Sequence, residues 1–282
     1  NGYRPPRPFR RRFERRPPGI DRRRVAYYSA KGGYAYMAGK LAMSEADLSL
    51  IRSWYAGAIA YIDSRIGELV RWLKERRLYD DTLILVTADH GENLGEHGLA
   101  YHMFSLHDTL LHVPLIASCP SRLPRGRRIA EIVSLTDVTP TVLEVADIED
   151  RAARDGRSLL PFDDRPLHEA VFAEFGRPQY MLKRLAAAFP GHDFSRFDRG
   201  LRAVRTKKHK LVVGTDGVEE LFDLRSDPAE TRNRIAELPD VAAALRLALE
   251  RWQSANGEIR ASSPTEEDDE AVTASLRELG YF

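Results

Sequence analysis

The chain of 282 residues is 43% hydrophobic and 30% charged, with a formal net charge of +1. That length carries one large α/β domain, or a domain with a small appendage, and no apolar run approaches the roughly 18 residues of a membrane-spanning helix. The single cysteine, Cys119, excludes an intrachain disulfide, so the fold rests on its core, and a charge this close to balance gives no reason to expect a nucleic-acid partner.

The balance conceals two poles. Residues 1–24 carry ten arginines against Glu14 and Asp21, whereas "EEDDE" at 266–270 is wholly acidic. A basic arm can hold phosphate groups, but five prolines and no helical period predict an extended, solvated connecting segment here. No apolar signal core follows Asn1, so the compartment is only weakly indicated, in favour of the cytoplasm.

Ser44 opens the first clear helix. In "SEAD" a serine N-cap is followed three residues later by Asp47, which satisfies free amide hydrogens and suits the positive end of the helix dipole. Leu48, Ile51, Tyr55, Ile59, Ile62, Ile66, Leu69 and Leu73 then recur at steps of three and four, the buried face of an amphipathic helix reaching about Arg77. "TLILVTA" (82–88) and "VPLIAS" (113–118) are apolar runs of the kind that form strands buried on both faces. "SLTDVTPTVLEVADI" (134–148) predicts a short helix with Pro140 in its first turn, and "EAVFAEF" (169–175) another strand.

Helix, strand, strand, helix, strand at this spacing predicts an α/β fold with a helix-flanked, mixed, mostly parallel sheet. The character changes after about residue 176. "LRAVRTKKHKLVV", "GTDG" and "VEELFDL" predict antiparallel strands closed by a turn at Asp216-Gly217, followed by an amphipathic helix in "DVAAALRLALERW". The expected organisation is a connecting arm over 1–24, an α/β domain over 25–176 and a small C-terminal subdomain of antiparallel sheet and helix over 177–282.

The chemistry concentrates in "TADHGENLGEHGLAYHMF" (87–104). Asp89 and His90 come directly after a strand, and in open α/β sheets ligands bind beyond the carboxyl ends of strands. A carboxylate oxygen beside an imidazole nitrogen suits a divalent cation. Both side chains reach one ion only if the chain turns there, and Gly91 is expected to permit that turn. Glu96 and His97, bracketed by glycines, are expected to fix the loop by hydrogen bonds, and nothing in the pattern assigns chemistry to His107 or His112.

"TADHGENLGEHGL" is similar to the metal-binding stretch of sulfatases in the alkaline-phosphatase superfamily, where Asp-His-Gly-Glu precedes a Gly-Glu-His-Gly or Gly-Asp-His-Gly turn. The similarity continues in order through "HMFSLHDTLLHVPLIA", "SLTDVTPTVLEVADI", "DGRSLLP", "VFAEF", "LRAVRTKKHKLV", "ELFDLRSDPAETRN" and the closing "LRELGYF". It implies the C-terminal portion of an alkaline-phosphatase-like domain, with Asp89 and His90 as ligands of the active-site cation, Ca2+ or else Mn2+ or Zn2+. His102 falls where many sulfatases carry a lysine that binds sulfate or assists the leaving group, and the substrate implied is a small-molecule or saccharide sulfate ester. The nucleophile of the family is a cysteine oxidised to formylglycine, in a Cys-x-Pro-Ser-Arg or Cys-x-Ala-x-Arg setting that opens a helix well before the metal stretch. "CPSR" at Cys119 lacks the spacer and ends a strand, so it is a decoy. The true nucleophile and the first metal-binding acids are expected upstream of residue 1, and the isolated chain is expected to be inactive. A phosphodiester or phosphonate monoester hydrolase of the same superfamily, or a non-catalytic protein holding a polyanion on the basic arm, are the alternatives.

Overall fold

A computed structural model describes residues 3–14, 18–149, 152 and 155–256. The basic arm departs from the expected extended form: Arg7–Phe13 is a helix, α1. Pro6 is its N-cap and a further proline lies within the first two positions, where the missing N–H costs nothing. What holds α1 in place is packing that no short-range pattern announces. Phe9 meets Tyr61 edge-on at 5.3 Å, the Arg10 guanidinium lies 5.7 Å from the Trp54 ring, and Gly57 lets the backbones close up, its Cα hydrogen facing the Phe9 carbonyl and Pro5. A short helix α2 (Arg22–Tyr27), capped by Asp21, runs through a π-helical turn into α3 (Gly33–Met37).

The long helix α4 (Glu45–Glu75) starts as its sequence dictates. Ser44 Oγ accepts from Asp47 N–H at 3.1 Å and the Asp47 carboxylate accepts from Ser44 N–H at 3.1 Å, a complete capping box. The first half buries its apolar stripe far more fully than the second. Leu48, Leu50, Ile51 and Trp54 enter the main core with Val25, Tyr28 and Leu94, whereas Ile59, Ile62 and Leu69 are each at least half exposed. The stripe is continuous, but of its second half Leu73 alone is buried among the described residues, and Phe9 covers part of Tyr61 beside it.

The chain continues with β1 (Ile84–Thr87), β2 (Asn93–Leu94), β3 (Ala100–Tyr101), α5 (Asp108–Leu111), β4 (Leu115–Ser118), α6 (Val138–Val145), β5 (Val171–Phe175), α7 (Gln179–Ala188), β6 (Leu201–Arg205), β7 (His209–Gly214), β8 (Glu219–Asp223) and α8 (Pro239–Asn256). The mostly parallel sheet expected of the larger domain is not seen: every strand pairing among the described residues is antiparallel. β1 pairs only β4, with Ile84 opposite Ser118 and Thr87 opposite Leu115. Parallel neighbours need a crossover that carries the chain back to the starting edge; here residues 88–114 stay at one end of the pair and fold into a small hairpin and α5. Nor are these strands covered on both faces, since β1 is only part-buried and Ile116 is 61% exposed.

The C-terminal sheet is a four-stranded antiparallel meander, β5-β6-β7-β8, with the β7–β8 turn closed by Gly214 N–H to Val218 O and Gly217 in the left-handed region at φ +82. β5, drawn from the stretch expected to belong to the larger domain, hydrogen bonds to β6 instead. α8 packs its apolar face on one side of the sheet through Leu245 and Leu249 against Val204, Leu211 and Leu221. The other side meets the loop before α5 through Leu106, Ala203 and Phe222, which places the chemistry-bearing segment against this sheet. No helix of the described residues is long and apolar enough to cross a membrane.

Candidate active site

Beyond β1 the chain turns under tight backbone control. Gly91 N–H donates to Leu110 O at 2.7 Å and Glu92 N–H to Thr109 O at 3.0 Å, so the segment lies against α5. The glycine is needed for a reason different from the expected one. Gly91 does not adopt a left-handed φ; a Cβ there would stand 2.0 Å from the Thr109 carbonyl oxygen. Left-handed residues come later, at Gly95 (φ +108), His97 (φ +54) and Gly98 (φ +68), and they close the β2–β3 hairpin. Glu96 acts here as the sequence suggests: its carboxylate accepts from Leu94 N–H at 2.6 Å and faces the Arg52 guanidinium at 3.4 Å. The hairpin reverses the chain and returns His102 to the side of His90.

The His90 and His102 rings stack with centroids 4.3 Å apart and planes 23° from parallel. His90 Nδ1 lies 2.7 Å from Gly91 O, so that nitrogen carries the proton and Nε2 carries the lone pair. Nε2 stands 3.7 Å from Asp89 Oδ2, while Asp89 Oδ1 accepts His90 N–H at 3.0 Å. The expected pair is therefore side by side, with Asp89 at the rim, its side chain 85% exposed.

Glu92, which the sequence reading passed over, lies at the centre. Its Oε2 is 3.2 Å from His102 Nδ1 and its Oε1 accepts from Tyr3 Oη–H at 2.5 Å. Burial and then the Glu92 charge push the Tyr3 hydroxyl well above its usual range, so Tyr3 remains a proton donor to that carboxylate. One donor atom each from His90, Glu92 and His102 lies within 4.8 Å of the others, and Asp89 adjoins. Two imidazoles and carboxylate oxygens are a donor set that fits a divalent cation. The fourth position of the Asp-His-Gly-Glu motif signalled Glu92; nothing local signalled Tyr3, which is 89 residues away in sequence.

Cys119 is buried (3% exposed), with its Sγ near Asp80 O and Ser121 Oγ. It follows β4 directly, and Ser118 pairs with Ile84 at the start of β1. Asp89 and His90 follow the other end of β1, so four residues of strand, roughly 13 Å, separate the thiol from the cluster. His112 is exposed at the C-terminal end of α5.

Residues 6–148, just over half of the chain, match the sulfatase family model, and residues 95–255 match the C-terminal model of N-sulphoglucosamine sulphohydrolase. The chain belongs to the sulfatase family. Among curated sulfatases, arylsulfatase K of Bos taurus is 30% identical over 72% of this chain and 36% of its own length. The choline-sulfatase of Rhizobium meliloti is 32% identical over 85% of this chain and 45% of its own. Among solved structures, the phosphonate monoester hydrolase of Agrobacterium radiobacter superposes with a TM-score of 0.63 at 28% identity, over 75% of this chain and 42% of that one. The chain thus spans between a third and a half of the length of these relatives.

Proposed function

We propose that this chain forms one wall of the active site of a metal-dependent sulfatase-type hydrolase, which cleaves a small-molecule or saccharide sulfate ester. The nucleophile in this reading is a hydrated formylglycine carried by a part of such a hydrolase outside these 282 residues. The observation that carries the proposal is the convergence of His90, Glu92 and His102 beyond the end of β1, in a member of the sulfatase family.

In this reading Asp89 and His90 hold the cation, Ca2+ by family resemblance, though the imidazoles also suit Mn2+ or Zn2+. When bound, the cation polarises the sulfuryl oxygens and favours ionisation of the nucleophile. His102 acts on the ester oxygen that leaves. With Nδ1–H donated to Glu92, the lone pair sits on Nε2, and protonation there gives an imidazolium that can hydrogen bond the departing oxygen or give it a proton. Glu92 is then a positioning residue: it fixes the His102 ring and its tautomer, while Tyr3 fixes Glu92. Sulfate and phosphonate monoesters both present a tetrahedral anion in need of similar stabilisation, and the likeness to phosphonate monoester hydrolases makes that class the second reading.

The test is turnover of an aryl sulfate and an aryl phosphonate monoester by these residues together with any sequence encoded in frame upstream of Asn1. His102→Ala should cut kcat by about 100-fold or more on the preferred substrate, and Cys119→Ala should leave it unchanged. Full activity in a His90→Ala/His102→Ala double variant, or loss of activity in Cys119→Ala, would overturn the proposal.

A further inference from the structure

A second trio of donors comes together outside the loop centred on Glu92. His97 sits in the β2–β3 hairpin, His107 just ahead of α5, and Glu230 in the segment after β8. One nitrogen of each ring and one Glu230 oxygen lie within 4.8 Å of one another. We propose that His97, His107 and Glu230 form a binding site for a borderline transition-metal cation of the Zn2+ class, which joins the hairpin to the C-terminal sheet.

Four observations carry this. His97 holds a left-handed backbone, φ +54, that a non-glycine residue adopts only against resistance, and the result is an imidazole lying flat on His107, with centroids 3.7 Å apart and planes 10° from parallel. The His107 Nδ1 is buried and makes no hydrogen bond; the nearest carboxylate oxygen, Glu230 Oε2, stands 3.5 Å away. A buried imidazole nitrogen held from its carboxylate neighbour by this long a gap leaves room for an ion between the two. Glu230 is itself 3% exposed, and its charge is already compensated. Its Oε1 faces the Lys210 ammonium, which Asp108 shares at 2.9 Å, and its Oε2 accepts Asp108 N–H at 2.6 Å. A carboxylate oxygen has a second lone pair, and this one lies on the His107 side.

The fourth observation is exposure. His97 lies on the solvent side, so its ring is free to rotate out of the stack until its nitrogen lone pair converges with those of His107 and Glu230 on one ion, at bonds of ~2.1 Å. The same opening leaves a coordination position for water, and two imidazoles with one carboxylate plus water are a zinc-type set. Ca2+, which takes six to eight oxygens, is poorly served here. Phe222 packs edge-on against His107 at 5.8 Å and holds that ring in place.

Titration of the whole 282-residue chain with Zn2+ and Co2+ tests this, in a His90→Ala/His102→Ala background that removes the other cluster. We expect one equivalent of either ion to bind, with the visible absorption of a four- or five-coordinate Co2+ site. His97→Ala, an exposed position whose loss leaves the fold intact by circular dichroism, should weaken Zn2+ at least about 10-fold, since even outer partners of ligands contribute that much. His97→Cys should restore Zn2+ binding. Absence of stoichiometric binding in the background variant, or unchanged affinity in His97→Ala, would overturn the proposal whatever the catalytic activity of the chain.

Discussion

Substituting Gly91 by alanine places a Cβ 2.0 Å from Thr109 O and 2.9 Å from Thr109 C, where ordinary contact begins at 3.4 Å. Both obstacles are backbone, so no side-chain rotation relieves them, and the loop and α5 must separate by about 1 Å. Two hydrogen bonds cross that seam, Gly91 N–H to Leu110 O and Glu92 N–H to Thr109 O. Overpacking of this kind costs roughly 1–3 kcal/mol and each of the two weakened bonds about 1 kcal/mol, so a loss of roughly 3–5 kcal/mol is expected. The displacement also shifts Gly91 O, which now holds His90 Nδ1 at 2.7 Å, and cation affinity should fall by about 10-fold or more. Gly67→Ala is the contrasting control. Gly67 lies in the exposed interior of α4 with nothing within 4 Å of the added carbon, and there alanine should stabilise by roughly 0.4–1 kcal/mol. Urea unfolding followed by circular dichroism, with calorimetric titration of Mn2+, reads both effects. A Gly91→Ala chain within ~0.5 kcal/mol of the parent and with the parent's cation affinity would refute the account of how this loop is built.

Lys210 is fully buried between Asp108 and Glu230, and Lys210→Met should cost about 3–5 kcal/mol, because it strands a buried carboxylate; a chain destabilised by under ~1 kcal/mol in urea would contradict this. The same network fixes an acid limb. Burial alone would raise the Asp108 pKa, but Lys210 and Arg205 outweigh it and hold the carboxyl below its ordinary 3.8. Its contribution to stability is therefore present above pH 3.8 and lost as pH falls through the lower folded value. The acid-unfolding midpoint of Asp108→Asn should lack that limb. In α4, Ser44→Ala removes half of a capping box and should cost roughly 1 kcal/mol in the same unfolding assay, with Ser44→Asp recovering it.

Several elements follow from neighbours in sequence alone, and these were legible. The Ser44–Asp47 box and the three-four spacing behind it specify the start and the face of α4, because capping and helical periodicity act within one or two turns. Asp216-Gly217 closes the β7–β8 hairpin because only a residue tolerant of φ +82 fits there. Asp89 and His90 adjoin one another after a strand end because they are adjacent in the chain. The sulfatase resemblance was legible for the same reason, since its motifs are short and ordered. The remainder depends on contacts between distant residues. The helix in the basic arm exists where Phe9 and Pro5 find α4, and the antiparallel β1–β4 pair depends on how residues 88–114 return. The second half of α4 shows the converse: an apolar period announces a face but not whether anything covers it. Glu92 lies in the quoted motif, yet its partners are Tyr3, 89 residues earlier, and His102, brought back by a left-handed hairpin. His107 meets Glu230 across more than a hundred residues in the same way. A side chain's chemistry is written at its own position, whereas its pKa, its tautomer and its partners are set by whatever dipoles and charges the folded chain brings within a few ångströms.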